Sequence, residues 1–121
     1  METLNPPQPR TLADYKEAIN SGIALYVAGE RERLAQDSHL ENHDADRAFL
    51  GMLNAEGQRI RGALTIVGYE MMGGENSEIA SKSALAMEMI QTDLVIQDDI
   101  HDNGEERRGV DCVHRALGLA P

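Results

Sequence analysis

The chain has 121 residues, 41% hydrophobic and 3% aromatic, with a formal net charge of −10 and a single cysteine, Cys112. This length corresponds to about one domain, whose interior must be aliphatic and rich in methionine. The acidic balance excludes general nucleic-acid binding, which needs a basic surface. One cysteine excludes an internal disulfide framework, charges interrupt every apolar run that could span a membrane, and the N-terminus lacks a signal-peptide pattern. We therefore expect a soluble cytoplasmic protein.

The prolines separate a short N-terminal arm from a long region that is free to be helical. Pro6, Pro7 and Pro9 lie in the first ten residues, and Pro121 is the last residue. Residues 1–10 are therefore expected to form an extended arm, and no proline interrupts the helices that follow.

The first predicted helix begins after Thr11, which with Asp14 three residues later resembles a capping box. Hydrophobic residues then recur at three- and four-residue spacing, which is typical of one helix face. These residues are Leu12, Tyr15, Ile19, Ile23, Tyr26 and Leu34.

Residues 38–46 are polar and contain His39 and His43, four positions apart. On a helix this spacing could bind zinc. Because no apolar pattern supports a helix here, a solvated loop between helices is the favoured interpretation.

A second helix is predicted over residues 45–53 and a third over residues 58–72. The first turn of the third helix carries Arg59 and Arg61, and free backbone N–H groups beside guanidinium groups suit a bound anion. Two ordinary surface arginines are the alternative, which local spacing alone favours. The residues expected to be buried in this helix are Ile60, Ala63, Leu64, Val67 and Met71.

The fourth predicted helix is the longest, running from residue 78 to residue 103, with Asn76 or Ser77 as its N-cap and Gly104 at its end. Residues 84–96 are mostly apolar, which is typical of a helix at the centre of a bundle. Since every predicted element is helical, the fold class is all-α.

The end of this helix carries the residues that point to a chemistry. At about 100° per residue, Asp102 lies about 40° from Asp98 around the axis, whereas Asp99 lies about 100° away. Two carboxylates one turn apart can each give an oxygen to Mg²⁺, which is commonly held by carboxylates together with substrate phosphates. The same stripe of the helix continues upstream through Gln91, Met87 and Leu94. An apolar stripe that ends in a magnesium site suits a diphosphate with a hydrocarbon tail.

Arg107 and Arg108 follow the acidic cluster and could bind phosphate oxygens. The alternative is a solvated helix end with local ion pairs. Aspartates at a helix C-terminus are disfavoured by the helix dipole by roughly 0.3–1 kcal/mol per charge, and a bound metal would offset that cost. The dipole cost therefore favours the magnesium site.

Several segments, taken in order, resemble the trans-isoprenyl diphosphate synthases, which include the farnesyl and geranylgeranyl diphosphate synthases. The run Asp98-Asp99-Ile100-His101-Asp102, followed by Arg107-Arg108-Gly109, His114 and Gly118, is similar to that family's first aspartate-rich region. Upstream, Gly57-Gln58-Arg59-Ile60-Arg61 resembles its glycine-lysine-arginine segment, Gly73-Gly74 its glycine pair, and Gln91 a position with Gln or His. The resemblance covers residues 45–118.

The resemblance implies the all-α isoprenoid synthase bundle, usually a homodimer, of which residues 11–121 would be a truncated N-terminal part. The implied reaction joins isopentenyl diphosphate to an allylic prenyl diphosphate, with Mg²⁺ on the catalytic pair Asp98 and Asp102 assisting ionisation of the allylic C–O bond. Arg107 would face the allylic diphosphate. The residues that would surround isopentenyl diphosphate are Gly57, Gln58, Arg61, Gln91 and Arg108.

Three positions depart from the family pattern. Gln58 replaces the family's lysine and removes a charge from the expected isopentenyl site. Asp93 stands where the family usually has an aromatic or small residue that limits product length, and Asp111 stands where it often has proline. The family's second aspartate-rich motif is expected beyond Pro121.

Three interpretations remain open: the N-terminal part of an isoprenyl diphosphate synthase, a non-catalytic subunit or interaction module of the same family, and a piece of a class I terpene cyclase. The cyclase ranks last, because cyclases do not usually pair the aspartate motif with Arg107-Arg108-Gly109. An apolar fourth helix without further helices to cover it predicts an exposed apolar patch, and hence dimerisation or aggregation.

Overall fold

The computed structural model describes residues 10–37 and 43–119. In chain order the elements are α1 (Leu12–Gln36), α2 (Asp44–Asn54), α3 (Ile60–Met71), α4 (Ser77–Asp102), β1 (Glu106–Arg107), β2 (Val110–Asp111) and α5 (Val113–Ala116). The predicted all-α class is confirmed for this part of the chain. The structure adds one antiparallel hairpin after α4, with two residues in each strand. Within the same ranges, no helix combines the length and apolar character that a membrane span needs.

The start of α1 follows the prediction closely. The Thr11 side chain accepts a hydrogen bond from the Asp14 N–H, and the Asp14 carboxylate accepts one from the Thr11 N–H, which completes the capping box. Arg10 stacks on the Tyr15 ring and pairs with Glu70 of α3. Residues 1–9 of the predicted arm lie outside the described residues. The side chains that α1 buries are Ile19, Ile23, Val27 and Leu34, whereas Leu12 is exposed.

The structure describes only part of the segment before α2, and His39 lies outside the described residues. His43 is the buried N-cap residue of α2, with its Nδ1 atom 3.5 Å from Asp46 Oδ2, so the solvated-loop prediction is wrong for this residue. Among the described residues, no three or more His, Cys, Asp or Glu side chains come together as a metal site.

The predicted buried stripe of α3 is largely wrong. Leu64 and Met71 are 63% and 80% exposed, and the buried residues are Gly62, Ala63 and Ile66. The reason is that α3 packs mainly against α4, and small residues at 62 and 63 allow the two helices to approach closely.

The long helix α4 buries a different side from the one that its apolar residues suggest. Asn76 caps its N-terminus through hydrogen bonds from the N–H groups of Glu78 and Ile79, and Asn103, in the left-handed conformation, ends it in place of Gly104. Large apolar side chains on another side remain exposed, including Ile90 at 56% and Leu94 at 50%. The buried line consists of Ala80, Ala84, Glu88, Thr92, Val95 and Asp99.

Candidate functional site

A cleft of about 600 Å³ opens where the loop after α2, the start of α3, the middle of α4 and the hairpin meet. It brings together, from three separate segments of the chain, six residues that were each predicted to bind a diphosphate. These are Gly57, Gln58, Arg61, Gln91, Arg107 and Arg108.

The cleft is basic in a chain whose net charge is −10. Its lining contains five cationic and two acidic side chains, and five minus two leaves a formal charge of plus three. The cations are Lys16, Arg59, Arg61, Arg107 and Arg108, and the acids are Glu56 and Glu88. Low-dielectric walls concentrate such a field, so the cleft is suited to an anion.

Arg59 is a buried residue of the cleft wall that connects α1 with the segment after α2. It adopts a left-handed conformation with φ of 59° at the N-cap of α3 and is only 4% exposed. Its Nε donates to Asn20 Oδ1 of α1 at 2.8 Å, and its Nη2 donates to the carbonyl oxygens of Leu53 and Ala55 at 2.9 and 2.8 Å. The expectation of an ordinary surface arginine is therefore wrong for Arg59, whereas Arg61 is exposed and faces the cleft.

Glu88 is the buried counterion of Arg59. Its Oε2 lies 3.4 Å from Arg59 Nη1, and its Oε1 accepts a hydrogen bond from the Gly62 N–H at 2.9 Å. A buried charge pair needs these additional hydrogen bonds, because desolvation otherwise outweighs the Coulombic attraction. Glu88 therefore couples the first turn of α3 to the middle of α4.

Arg108 lies at the turn of the hairpin with φ of 54° and extends back across the molecule. Its Nη1 donates to the Met52 carbonyl at 3.0 Å and to Thr92 Oγ1 at 3.2 Å. Burial, followed by the neighbouring charge of Arg59, lowers the pKa of its guanidinium. A Cβ at Gly57 would lie 3.3 Å from Arg108 Nε, so the glycine permits the close approach.

Asp99 and Arg107 form a two-pronged ion pair at the end of α4. Arg107 Nε lies 2.7 Å from Asp99 Oδ2, and Arg107 Nη2 lies 2.8 Å from Asp99 Oδ1. Arg107 holds the pKa of Asp99 below its ordinary value against the opposing effect of burial, and a hydrogen bond from Cys112 acts in the same direction as Arg107. Burial, together with Asp99, raises the pKa of the Cys112 thiol. Arg107 also lines the cleft, and its Nη1 is not used in the ion pair.

Asp98 and Asp102 are exposed on the last turns of α4, outside the lining of the cleft. Within residues 10–37 and 43–119, neither carboxylate has a hydrogen bond or an ion pair. This fits a magnesium donor set in which two carboxylates bind one ion and water or phosphate oxygens complete its shell. Asp99 differs from this pair, because its carboxylate is buried and occupied by Arg107.

Sequence reasoning missed Lys16, Glu88 and Thr92 as parts of the site. Glu88 could have been noticed in the sequence, since a carboxylate in the mostly apolar run of residues 84–96 needs a partner. No sequence pattern indicates Lys16 or Thr92, because their roles depend on contacts with distant segments.

Comparisons with known proteins agree on one family. The family described as polyprenyl synthetase matches residues 43–121. The chain is 43% identical over 104 residues to geranylgeranyl pyrophosphate synthase 7, chloroplastic, of Arabidopsis thaliana, which covers 84% of the chain and 26% of that protein. It is 37% identical over 73 residues to geranylgeranyl pyrophosphate synthase of Geoglobus acetivorans, covering 60% of the chain and 23% of that relative.

A third relative is the short chain isoprenyl diphosphate synthase of Methanocaldococcus jannaschii, 43% identical over 67 residues, or 55% of the chain and 20% of that protein. The chain thus spans between 20% and 26% of the length of these relatives. No solved structure matches the chain significantly.

Proposed function

We propose that this chain, which belongs to the polyprenyl synthetase family, carries the diphosphate-binding part of an isoprenyl diphosphate synthase. The reaction would condense an allylic prenyl diphosphate with isopentenyl diphosphate. The observation that carries the proposal is the convergence of Gln58, Arg61, Gln91, Arg107 and Arg108 on one basic cleft of about 600 Å³.

The side chains of the cleft suit a diphosphate in charge and in hydrogen-bonding groups. Arg61 and the free Nη1 of Arg107 can donate to phosphate oxygens, and guanidinium groups do so with two parallel hydrogen bonds. Gln58 and Gln91 offer neutral amide donors. Arg108 is held in place by Met52 and Thr92, and an anion beside it would offset the repulsion from Arg59.

Asp98 and Asp102 would hold Mg²⁺ beside this cleft. When bound, the ion would act as a Lewis acid that withdraws charge from the leaving diphosphate. Arg107 links the two regions, because it lines the cleft and pairs with Asp99, the residue next to Asp98. The protein's own contribution is to orient the diphosphate between its arginines and this carboxylate pair.

The hydrocarbon tail would lie along the exposed apolar stripe of α4. Met87, Ile90 and Leu94 are 38%, 56% and 50% exposed, and contact with an isoprenoid would remove them from water. Asp93 lies about 140° from Asp98 around the helix. Its carboxylate accepts a hydrogen bond from Gln97 at 2.8 Å, which partly satisfies a charge that lies about 60° from Ile90 around the helix.

The proposal is tested by titrating isopentenyl diphosphate into the chain and following binding by calorimetry. Arg61→Gln should weaken binding by at least about tenfold, since a charged hydrogen bond contributes about 1.5–3 kcal/mol. Arg31→Gln is the matched control, because Arg31 is an exposed arginine far along α1 and outside the cleft. Equal binding by wild type and Arg61→Gln would contradict the proposed site.

A non-catalytic subunit is the second candidate function. It is favoured by the apolar side chains that α3 and α4 leave exposed, among them Leu64, Met71 and Ile90. Such a face suits another protein chain, either a second copy in a homodimer or a different family member. Radiolabelled isopentenyl diphosphate with an allylic primer and Mg²⁺ separates the candidates. Turnover favours the synthase, whereas association with another protein chain and no binding of isopentenyl diphosphate favours the subunit.

A further inference from the structure

We propose that Lys16 of α1 is a phosphate-binding side chain of the cleft. This inference rests on the proposed diphosphate site and adds to it a cation from the first helix, an element outside every predicted motif. Lys16 lines the same cleft as Gln58, Arg61 and Arg108.

Lys16 lies on the side of α1 that faces the core. At about 100° per residue, it lies within about 20° of Ile23, Val27 and Leu34 around the helix axis. Those three side chains are buried in the core. Lys16 therefore continues the buried line of α1 at the point where the core ends and the cleft begins. A lysine on an inward line can bury its aliphatic stem, but its ammonium group needs water or an anion.

The backbone of α1 is fixed on both sides of Lys16. Asn20, one turn later, accepts the hydrogen bond from Arg59 Nε at 2.8 Å. Tyr15, the preceding residue, donates through its hydroxyl group to Glu70 Oε2 of α3 at 3.2 Å. This part of α1 is thus attached to the wall of the cleft, which keeps the Lys16 side chain beside it.

Lys16 has no counterion of its own among the described residues, although it is half-buried. Neither acid that lines the cleft pairs with Lys16, because Glu88 is engaged by Arg59 and the Gly62 N–H, and the exposed Glu56 forms no ion pair with it. Gln58, which lines the same cleft as Lys16, is uncharged. The ammonium group of Lys16 is therefore free to pair with a bound phosphate.

The test measures binding of inorganic pyrophosphate by calorimetry for wild type, Lys16→Gln, Lys16→Arg and the control Lys82→Gln. Lys82 is an exposed lysine whose ion pair with Glu78 lies outside the cleft. Lys16→Gln should weaken binding roughly tenfold, and Lys16→Arg, which keeps the charge, should stay within about threefold of wild type. Lys82→Gln should bind like wild type.

The outcomes separate this inference from the proposed function. If Arg61→Gln weakens pyrophosphate binding and Lys16→Gln does not, the role of Lys16 is overturned and the diphosphate site stands. If neither substitution changes binding, the site itself is overturned. An equal loss in Lys16→Arg and Lys16→Gln would overturn the charge-based role. Thermal unfolding of Lys16→Gln should match wild type, because no native contact of the ammonium group is removed.

Discussion

The three aspartates at the end of α4 have different surroundings. Asp99 is buried and its carboxylate is occupied by Arg107, whereas Asp98 and Asp102 are exposed. Helical spacing separates Asp99 from the other two, but it does not identify the partner of Asp99, which lies eight residues later in a hairpin. The distinction leads to separate predictions for metal binding and for stability.

Replacing Asp98 or Asp102 with asparagine should weaken metal binding and leave the fold intact. We expect a loss of more than about tenfold in Mn²⁺ affinity in the presence of pyrophosphate, since each carboxylate would supply one ligand. Electron paramagnetic resonance of Mn²⁺ would measure this loss. Glu106→Gln, a nearby exposed acid, should bind like wild type. Retained Mn²⁺ affinity in both asparagine variants would rule out the pair as the metal site.

Replacing Asp99 with asparagine should instead lower stability in a pH-dependent way. Arg107 lowers the pKa of Asp99 in the folded state, so the ion pair stabilises the fold above the ordinary aspartate pKa of about 3.9. That contribution is lost as the pH falls through the lower, folded-state value. We expect a difference on the order of 1 kcal/mol in the free energy of unfolding at neutral pH, because partly exposed Arg107 is screened by solvent.

Urea denaturation at neutral pH and at acid pH would measure this difference for wild type and Asp99→Asn. The two proteins should converge in acid. Asp98→Asn serves as the control and should unfold like wild type at both pH values. A difference between wild type and Asp99→Asn that is constant across the range would show that Asp99 acts by packing and not by its charge.

At the scale of elements, the packing of α3 on α4 depends on Gly62, which has no side chain. A Cβ at Gly62 would lie 3.0 Å from Glu88 Oε1 and 3.0 Å from Ile19 Cδ1. Glu88 cannot easily move, because its oxygens bond the Gly62 N–H and Arg59. The wall of the cleft is thus built on close contact between helices.

Two glycine substitutions in α3 test this contact. Gly68→Ala should raise the free energy of unfolding by about 0.5–1 kcal/mol, since alanine favours the helix and a Cβ there meets nothing within 4 Å. Gly62→Ala should lower the free energy of unfolding. Overpacking costs about 1–3 kcal/mol, and the same helix gain offsets part of that cost. Thermal and urea unfolding of the matched pair would measure both effects. A stabilised Gly62→Ala would mean that α3 and α4 separate at little cost.

At the scale of the whole molecule, apolar surface remains uncovered. Leu64, Met71 and Met72 are exposed on or just after α3, and Ile90 and Leu94 are exposed on α4. Soluble monomers rarely leave such surface without a partner. The chain also spans only 20% to 26% of the relatives to which it is similar.

We therefore expect the 121-residue chain to dimerise or aggregate. Light scattering should give a mass above that of a monomer, and a dye that binds apolar surface should fluoresce with the protein. Leu64→Lys together with Leu94→Lys should reduce both signals, because each replaces an exposed apolar side chain with a charge. A monodisperse monomer without dye binding would contradict this expectation.

The sequence by itself determined the first four helices, the capping box at Thr11 and the family. These depend on neighbours within a turn or two, or on motif spacing, and both can be read along the chain. Only the tertiary structure decided which side of α4 is buried, because that helix is apolar on more than one side and its buried line includes the small residues Ala80 and Ala84. The structure also paired Arg59 with Glu88, 29 residues apart, and placed Lys16 in the cleft. Contacts between distant helices follow from how their surfaces fit, which no local spacing reports.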